Sequence, residues 1–220
     1  MKTDKKKGQS RSKYLWLLLA GLMCVMCMGC AGRVKKITLA DNLDKTALKI
    51  DEKSYTLKDL AFYVAYEEQI VQQQAMVYNS QDPNEYWNLH TNGNFVRVRA
   101  REEAMNLAIH DLIFYELARE AAVELSDEEE ALAASRADDF WMDLSDVSRE
   151  KIGITKEDVT ASVKKIALAE KYQEIYAILA SKETADFHVD GDAYLTMRGE
   201  HEIKIIKKVW EGLSFGNVTL

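Results

Sequence analysis

The chain has 220 residues, with 29 Lys and Arg against 36 Asp and Glu, for a formal charge of −7. Residues 1–29 hold six basic residues and one acid, so the remainder carries −12. An acidic body argues against a nucleic-acid partner, since phosphate contacts need clustered Lys and Arg, and with one proline and ten glycines the composition favours helices over a turn-rich β fold.

The chain begins with a basic segment, residues 1–13, followed by sixteen largely apolar residues from Tyr14 to Gly29. A comfortable membrane span takes about 20 apolar residues, so this run suits a secretory signal peptide. Gly29-Cys30 resembles a bacterial lipobox, with Cys30 as the lipidated first residue of the mature chain; Cys27 stands where leucine is usual. The alternative is an uncleaved signal anchor. Either way the lysines stay inside and the body lies outside the cytoplasm. The three cysteines are Cys24, Cys27 and Cys30, so a mature chain starting at a lipidated Cys30 has no free thiol and no disulfide, as suits an exported protein. The domain plan is a leader (1–29), a tether (30–45), a helical domain (46–183) and a closing segment (184–220).

In the body, Thr46–Ile50 predicts a short strand and Asp51-Glu52-Lys53 a turn. Thr56-Leu57-Lys58-Asp59 is a capping-box variant that opens a helix to about Asn79. Its apolar residues form one stripe of Leu57, Leu60, Ala61, Val64, Val71, Ala75 and Tyr78 and a second of Phe62, Tyr66, Ile70 and Val77. Gln72-Gln73-Gln74 reads as a solvated face. Asp82-Pro83-Asn84-Glu85 starts a short helix that Asn92-Gly93 stops. A central helix from about Phe95 to Glu124 is apolar most of the way round between Leu107 and Val123, so other helices must cover it. Ser126-Asp127-Glu128-Glu129 caps a third long helix to about Lys151, ended by Gly153. Thr155-Lys156-Glu157-Asp158 caps a fourth, to about Ser181. After Glu183, the segments Phe187–Val189, Ala193–Met197 and Glu202–Ile206 predict a small β element, with Val209, Trp210, Leu213 and Phe215 packing back on helices.

The search for reactive centres is brief. His90, His110, His188 and His201 are scattered, with no HExxH spacing. His110 reads as a satisfied structural histidine on the polar edge of the central helix. His188, Asp190 and Asp192 lack a full calcium-loop pattern and read as a turn. Glu128-Glu129-Glu130 and Asp138-Asp139 read as solvated helix faces. No cofactor, metal or catalytic residue is predicted. Aromatic and methionine side chains are the better candidates: Tyr86, Trp87, Phe140, Trp141, Met142 and Trp210. Neighbours such as Tyr86-Trp87 and Trp141-Met142 cannot both face one core. Exposed, flexible apolar surface of this kind suits promiscuous binding of polypeptide.

Three segments together resemble the helical N-terminal chaperone region of the SurA and PrsA type of extracytoplasmic foldases. They are Ile50–Thr56 with Asp59; Leu112-Ile113, Leu117 and Ala121 with Leu125–Glu129; and Gly153–Asp158 with Lys164-Lys165 and Glu170-Lys171. Glu52 stands where the family usually has glycine. The resemblance covers about Ala47 to Leu179, and it implies a SurA N-terminal-like domain of four long helices. The parvulin-type isomerase domain that commonly follows in the family needs about 100 residues; only residues 184–220 remain, without its glycine-rich segments. The expectation is therefore a mainly α, lipid-anchored extracytoplasmic protein that binds unfolded or partner polypeptides without catalysis. An accessory subunit of an envelope complex is the alternative, and a prolyl isomerase the third reading.

Overall fold

Capping chemistry sets the start of three of the four long helices. In the computed structural model, which describes residues 34–220, Thr56, Ser126 and Thr155 each accept a bond from the third helical N–H. The Asp59, Glu129 and Asp158 carboxylates accept one in return from the cap N–H. These reciprocal pairs satisfy donors that a helix start otherwise leaves free. They open α1 (Leu57–Tyr78), α4 (Asp127–Asp143) and α6 (Lys156–Leu179), while α3 (Val96–Glu120) lies between α1 and α4 in sequence. Short helices fill the rest: α2 (Pro83–Trp87), α5 (Asp146–Ile152), α7 (Asp192–Arg198) and α8 (Lys207–Trp210). The fold is mainly helical with a small sheet. The leader and Cys30 lie outside the described residues.

Helix ends depart from the expected bounds for local reasons. α3 stops at Glu120 because Ala122 takes a left-handed φ of 52° and the Val123 N–H turns back to the Ala118 carbonyl at 2.9 Å, a closure that satisfies end carbonyls. The expected third helix is broken in two: Leu144 turns extended and buries its side chain, and Ser145 caps a new helix by accepting from the Ser148 N–H at 3.0 Å. Gly153 ends α5 at φ 71°, and an added Cβ there would sit 2.7 Å from Ala40. Ala40 belongs to a 3-10 turn (Ala40–Asn42) beside Leu39, which is 1% exposed. The Ile37 N–H bonds the Gly212 carbonyl at 3.0 Å. Residues 37–43, expected as tether, are thus part of the packed body.

The sheet has the order β2-β1-β5, all antiparallel, from β1 (Thr46–Ile50), β2 (Lys53–Thr56) and β5 (Ile203–Ile205). Asn92 and Gly93, both at positive φ, do not stop α2, which ends at Trp87 with Asn88 as its C-cap. They make the two-residue turn of a hairpin between β3 (His90–Thr91) and β4 (Asn94–Phe95), as adjacent residues at positive φ allow. The predicted C-terminal β element is corrected in two of its three parts. Phe187 closes a 3-10 turn (Thr184–Phe187), and Ala193–Met197 lies within α7. In α7 the buried residues are Tyr194 and Met197, three apart, while Leu195 and Thr196 are exposed, which is a helical period and not an alternating one.

The core centres on α3, where Ala108–Phe114 is buried throughout. The all-round burial expected as far as Val123 ends at Ala118, since Ala121 and Ala122 are exposed. Trp210, Leu213 and Phe215 pack back onto the body, each 3% exposed or less.

Candidate functional site

The aromatic candidates do not share one surface. Trp87 is 1% exposed and Trp210 is 3% exposed, so both belong to the core and present no free face. The Trp87 indole N–H donates to Gln72 Oε1 at 2.9 Å, and the ring lies against Gly216, where an added Cβ would be 2.7 Å from its Cδ2. The Trp210 indole N–H donates to the Arg101 carbonyl at 3.2 Å. Tyr86 is half-buried, and its hydroxyl donates to Gln74 Oε1 at 2.9 Å. Two members of the glutamine run therefore anchor aromatic rings and do not merely face water. Trp141 is half-buried beneath Arg149, whose guanidinium sits 5.2 Å over the ring and donates to the Trp141 carbonyl. Met142 is 67% exposed and stands apart.

Phe140 leads to the site that tertiary packing assembles. It lines a groove of about 280 Å³ with Phe62 and Tyr66 of α1, Leu107 and Asp111 of α3, Arg136 of α4, and Val163, Ile166 and Glu170 of α6. Phe62 is the hub of its rings, 5.8 Å from Tyr66 in a stacked pair and 4.8 Å from Phe140 at 51°. Tyr66 is 38% exposed and offers its ring to solvent. Arg136 and Glu170 pair across the rim at 3.2 Å. Apolar walls with a few convergent polar groups are the usual make-up of a binding pocket.

A buried polar chain lies under the groove. Asp111 Oδ1 is 2.8 Å from His110 Nδ1, and His110 Nε2 is 2.9 Å from the Phe187 carbonyl. A carbonyl only accepts, so Nε2 carries a proton. The Nδ1 contact needs a second proton, held either by the imidazolium or by the carboxyl. Burial raises the Asp111 pKa, opposed by the bonds from His110 and Tyr63. The Tyr63 hydroxyl lies against Asp111, and its pKa is held well above the usual value, first by burial and then by that carboxylate. The His110 ring also packs edge-on against Tyr194, 4.8 Å away. Tyr194 is fully buried and its hydroxyl has no partner among the described residues; burial pushes it to about 12. His110 is thus satisfied at both nitrogens, as expected, but inside the core and not on a polar edge.

A second buried carboxylate escaped the sequence. Glu68 of α1 is fully buried and accepts the backbone N–H groups of Gly216 at 2.6 Å, Val218 at 3.1 Å and Thr219 at 2.6 Å, and the Thr219 hydroxyl at 2.7 Å. Desolvation raises its pKa, and those four donors oppose the shift. This clamp ties residues 216–219 to α1. None of residues 184–220 lines the aromatic groove.

The sequence signals for the groove were the second apolar stripe of α1, which holds Phe62 and Tyr66, and the candidate Phe140. Asp111, Glu170 and Arg136 were indistinguishable from solvated charges. Among the described residues no three His, Cys, Asp or Glu side chains converge as a metal set, and no helix is long and apolar enough to cross a membrane. No family model, no curated protein and no solved structure matches this chain.

Proposed function

We propose that this protein is an extracytoplasmic lipoprotein, anchored through Cys30, that holds unfolded or partner polypeptides without catalysing a reaction on them, on a SurA N-terminal-like scaffold. The observation that carries the reading is the groove of Phe62, Tyr66 and Phe140, which the closing segment leaves unfilled. Aromatic and aliphatic walls take apolar side chains of varied shape, because burial against them is non-directional. Glu170 and Arg136 at the rim keep a loaded groove hydrated. The acidic body, at −12 beyond residue 29, favours solubility of the complex.

The test is aggregation of a chemically denatured client in the presence of residues 31–220, which contain the compact unit from Lys35 to Leu220. Stoichiometric protein should suppress light scattering, and Tyr66→Ala with Phe140→Ala should relieve the suppression while circular dichroism stays unchanged. Unaltered aggregation with the wild-type body ends the holdase reading. The anchor is tested separately, by the intact mass of the membrane-extracted protein.

A further inference from the structure

The two edges of the small sheet differ in what they leave open. In the β1–β5 pair, the Asp51 N–H bonds the Glu202 carbonyl at 2.9 Å and the Ile206 N–H bonds the Ala47 carbonyl at 2.8 Å. Antiparallel ladders alternate bonded and non-bonded pairs. With Lys49 opposite Lys204, the backbone of Lys204 faces β1, and the N–H and C=O groups of Ile203 and Ile205 face outward. No partner among the described residues takes them. The β2 edge presents less, because Thr56 already spends its N–H on Asp59 Oδ2 at 2.8 Å.

The outward side of β5 also has a shaped floor. Ile203 and Ile205, with the 47%-exposed Leu195, line a depression of about 490 Å³ flanked by Arg198 and Lys207. Side chains two apart on a strand share a face, so Ile203 and Ile205 offer apolar contacts in the same register as the free backbone groups. The edge is braced at one end, where Asp51 accepts the Glu202 N–H at 2.8 Å and pairs with His201 Nδ1 at 2.7 Å. The flanks are basic on a body that is otherwise acidic.

We propose that the β5 edge docks an extended segment of a partner polypeptide, apolar at alternate residues and acidic between them, which adds as a fourth strand. Backbone bonds supply the alignment, the Ile203–Ile205–Leu195 floor takes the apolar side chains, and the exposed Lys204, on the opposite face of β5, meets the acidic residues between them, with Arg198 and Lys207 adding positive charge at the flanks. This surface is separate from the aromatic groove and extends polypeptide binding to a second place on the body.

The test uses the full chain in detergent and a blocked, dye-labelled peptide of alternating glutamate and valine, followed by fluorescence anisotropy. The peptide should bind, and its lysine–valine analogue should not. Methylating the peptide amides in one alternating register should abolish binding, while the other register is tolerated. Lys204→Glu should weaken binding about tenfold. Lys207→Glu should act in the same direction and leaves the Arg198 bond to Asn106 intact. Phe140→Ala should change nothing. No binding, or indifference to methylation in both registers, overturns the proposal. So does self-association of the chain that disappears in Lys207→Glu, because a second copy then occupies the edge. Loss of binding in Phe140→Ala alone removes the edge and leaves the groove reading standing.

Discussion

Glu68 and Asp111 are two buried carboxylates on neighbouring helices, and their surroundings set them to different work. Glu68 meets four donors, three of them backbone N–H groups of residues 216–219. Those donors have no alternative acceptor, so the carboxylate fixes a strap. Asp111 meets side chains, His110 and Tyr63, and borders the open groove. Side-chain partners share protons and can re-orient. A carboxylate held by backbone is a rivet, whereas one held by titratable side chains beside a cavity stays adjustable.

The largest expected effect breaks the first half of that contrast. Glu68→Ala strands three buried N–H groups and frees the segment that packs on Trp87, costing about 3–5 kcal/mol in urea unfolding. Glu68→Gln keeps an acceptor and should cost about half as much. Asp111→Asn probes the other half. It retains a partner for His110 and loses the charge, so a loss of about 1–2 kcal/mol is expected by the same measurement. If Asp111→Asn proves as damaging as Glu68→Ala, the distinction between rivet and adjustable group fails.

A third carboxylate sharpens the comparison through pH. Glu67 is partly buried next to Glu103, and desolvation followed by that like charge pushes its pKa from the ordinary 4.5 to about 7, with Arg99 opposing. The folded state therefore holds this proton more tightly than the unfolded chain. The contribution is fully present below pH 4.5 and is lost as pH rises to about 7, so stability falls across that window. Glu67→Gln should flatten the decline, by about 1–2 kcal/mol after solvent screening. The smallest effect is expected at the groove rim: Arg136→Ala removes a pair exposed on both sides and should cost below about 0.5 kcal/mol.

Legibility followed the range of the interaction. The starts of α1, α4 and α6 were readable because a cap and its helix lie within four residues; α2 was readable from Pro83 at its first position, since the Asp82 side chain makes no cap bond there. The extent of α3 was less so, since Ala122 reverses the chain without the glycine that usually marks such a turn. Helical spacing put Trp87 and Tyr86 on different faces, yet Trp87 is in the core and Tyr86 packs half-buried against it. Nothing local distinguished the core position of Trp87 from a free face, because its neighbours are Gln72 and Gly216. Glu68 adjoins Glu67 with no local sign of burial, and its four donors lie about 150 residues away.

What the amino-acid order determined by itself was the helical character of the body and most helix starts, through caps and a 3.6-residue apolar period. Tertiary structure alone decided that Ala193–Met197 is helix while Ile203–Ile205 is strand. Tyr194 must reach His110 and Phe114, and β1 offers an unpaired edge only to the second segment. It also decided the groove, whose walls come from four helices spread over more than 100 residues, so that no stretch of sequence holds enough of it to be read.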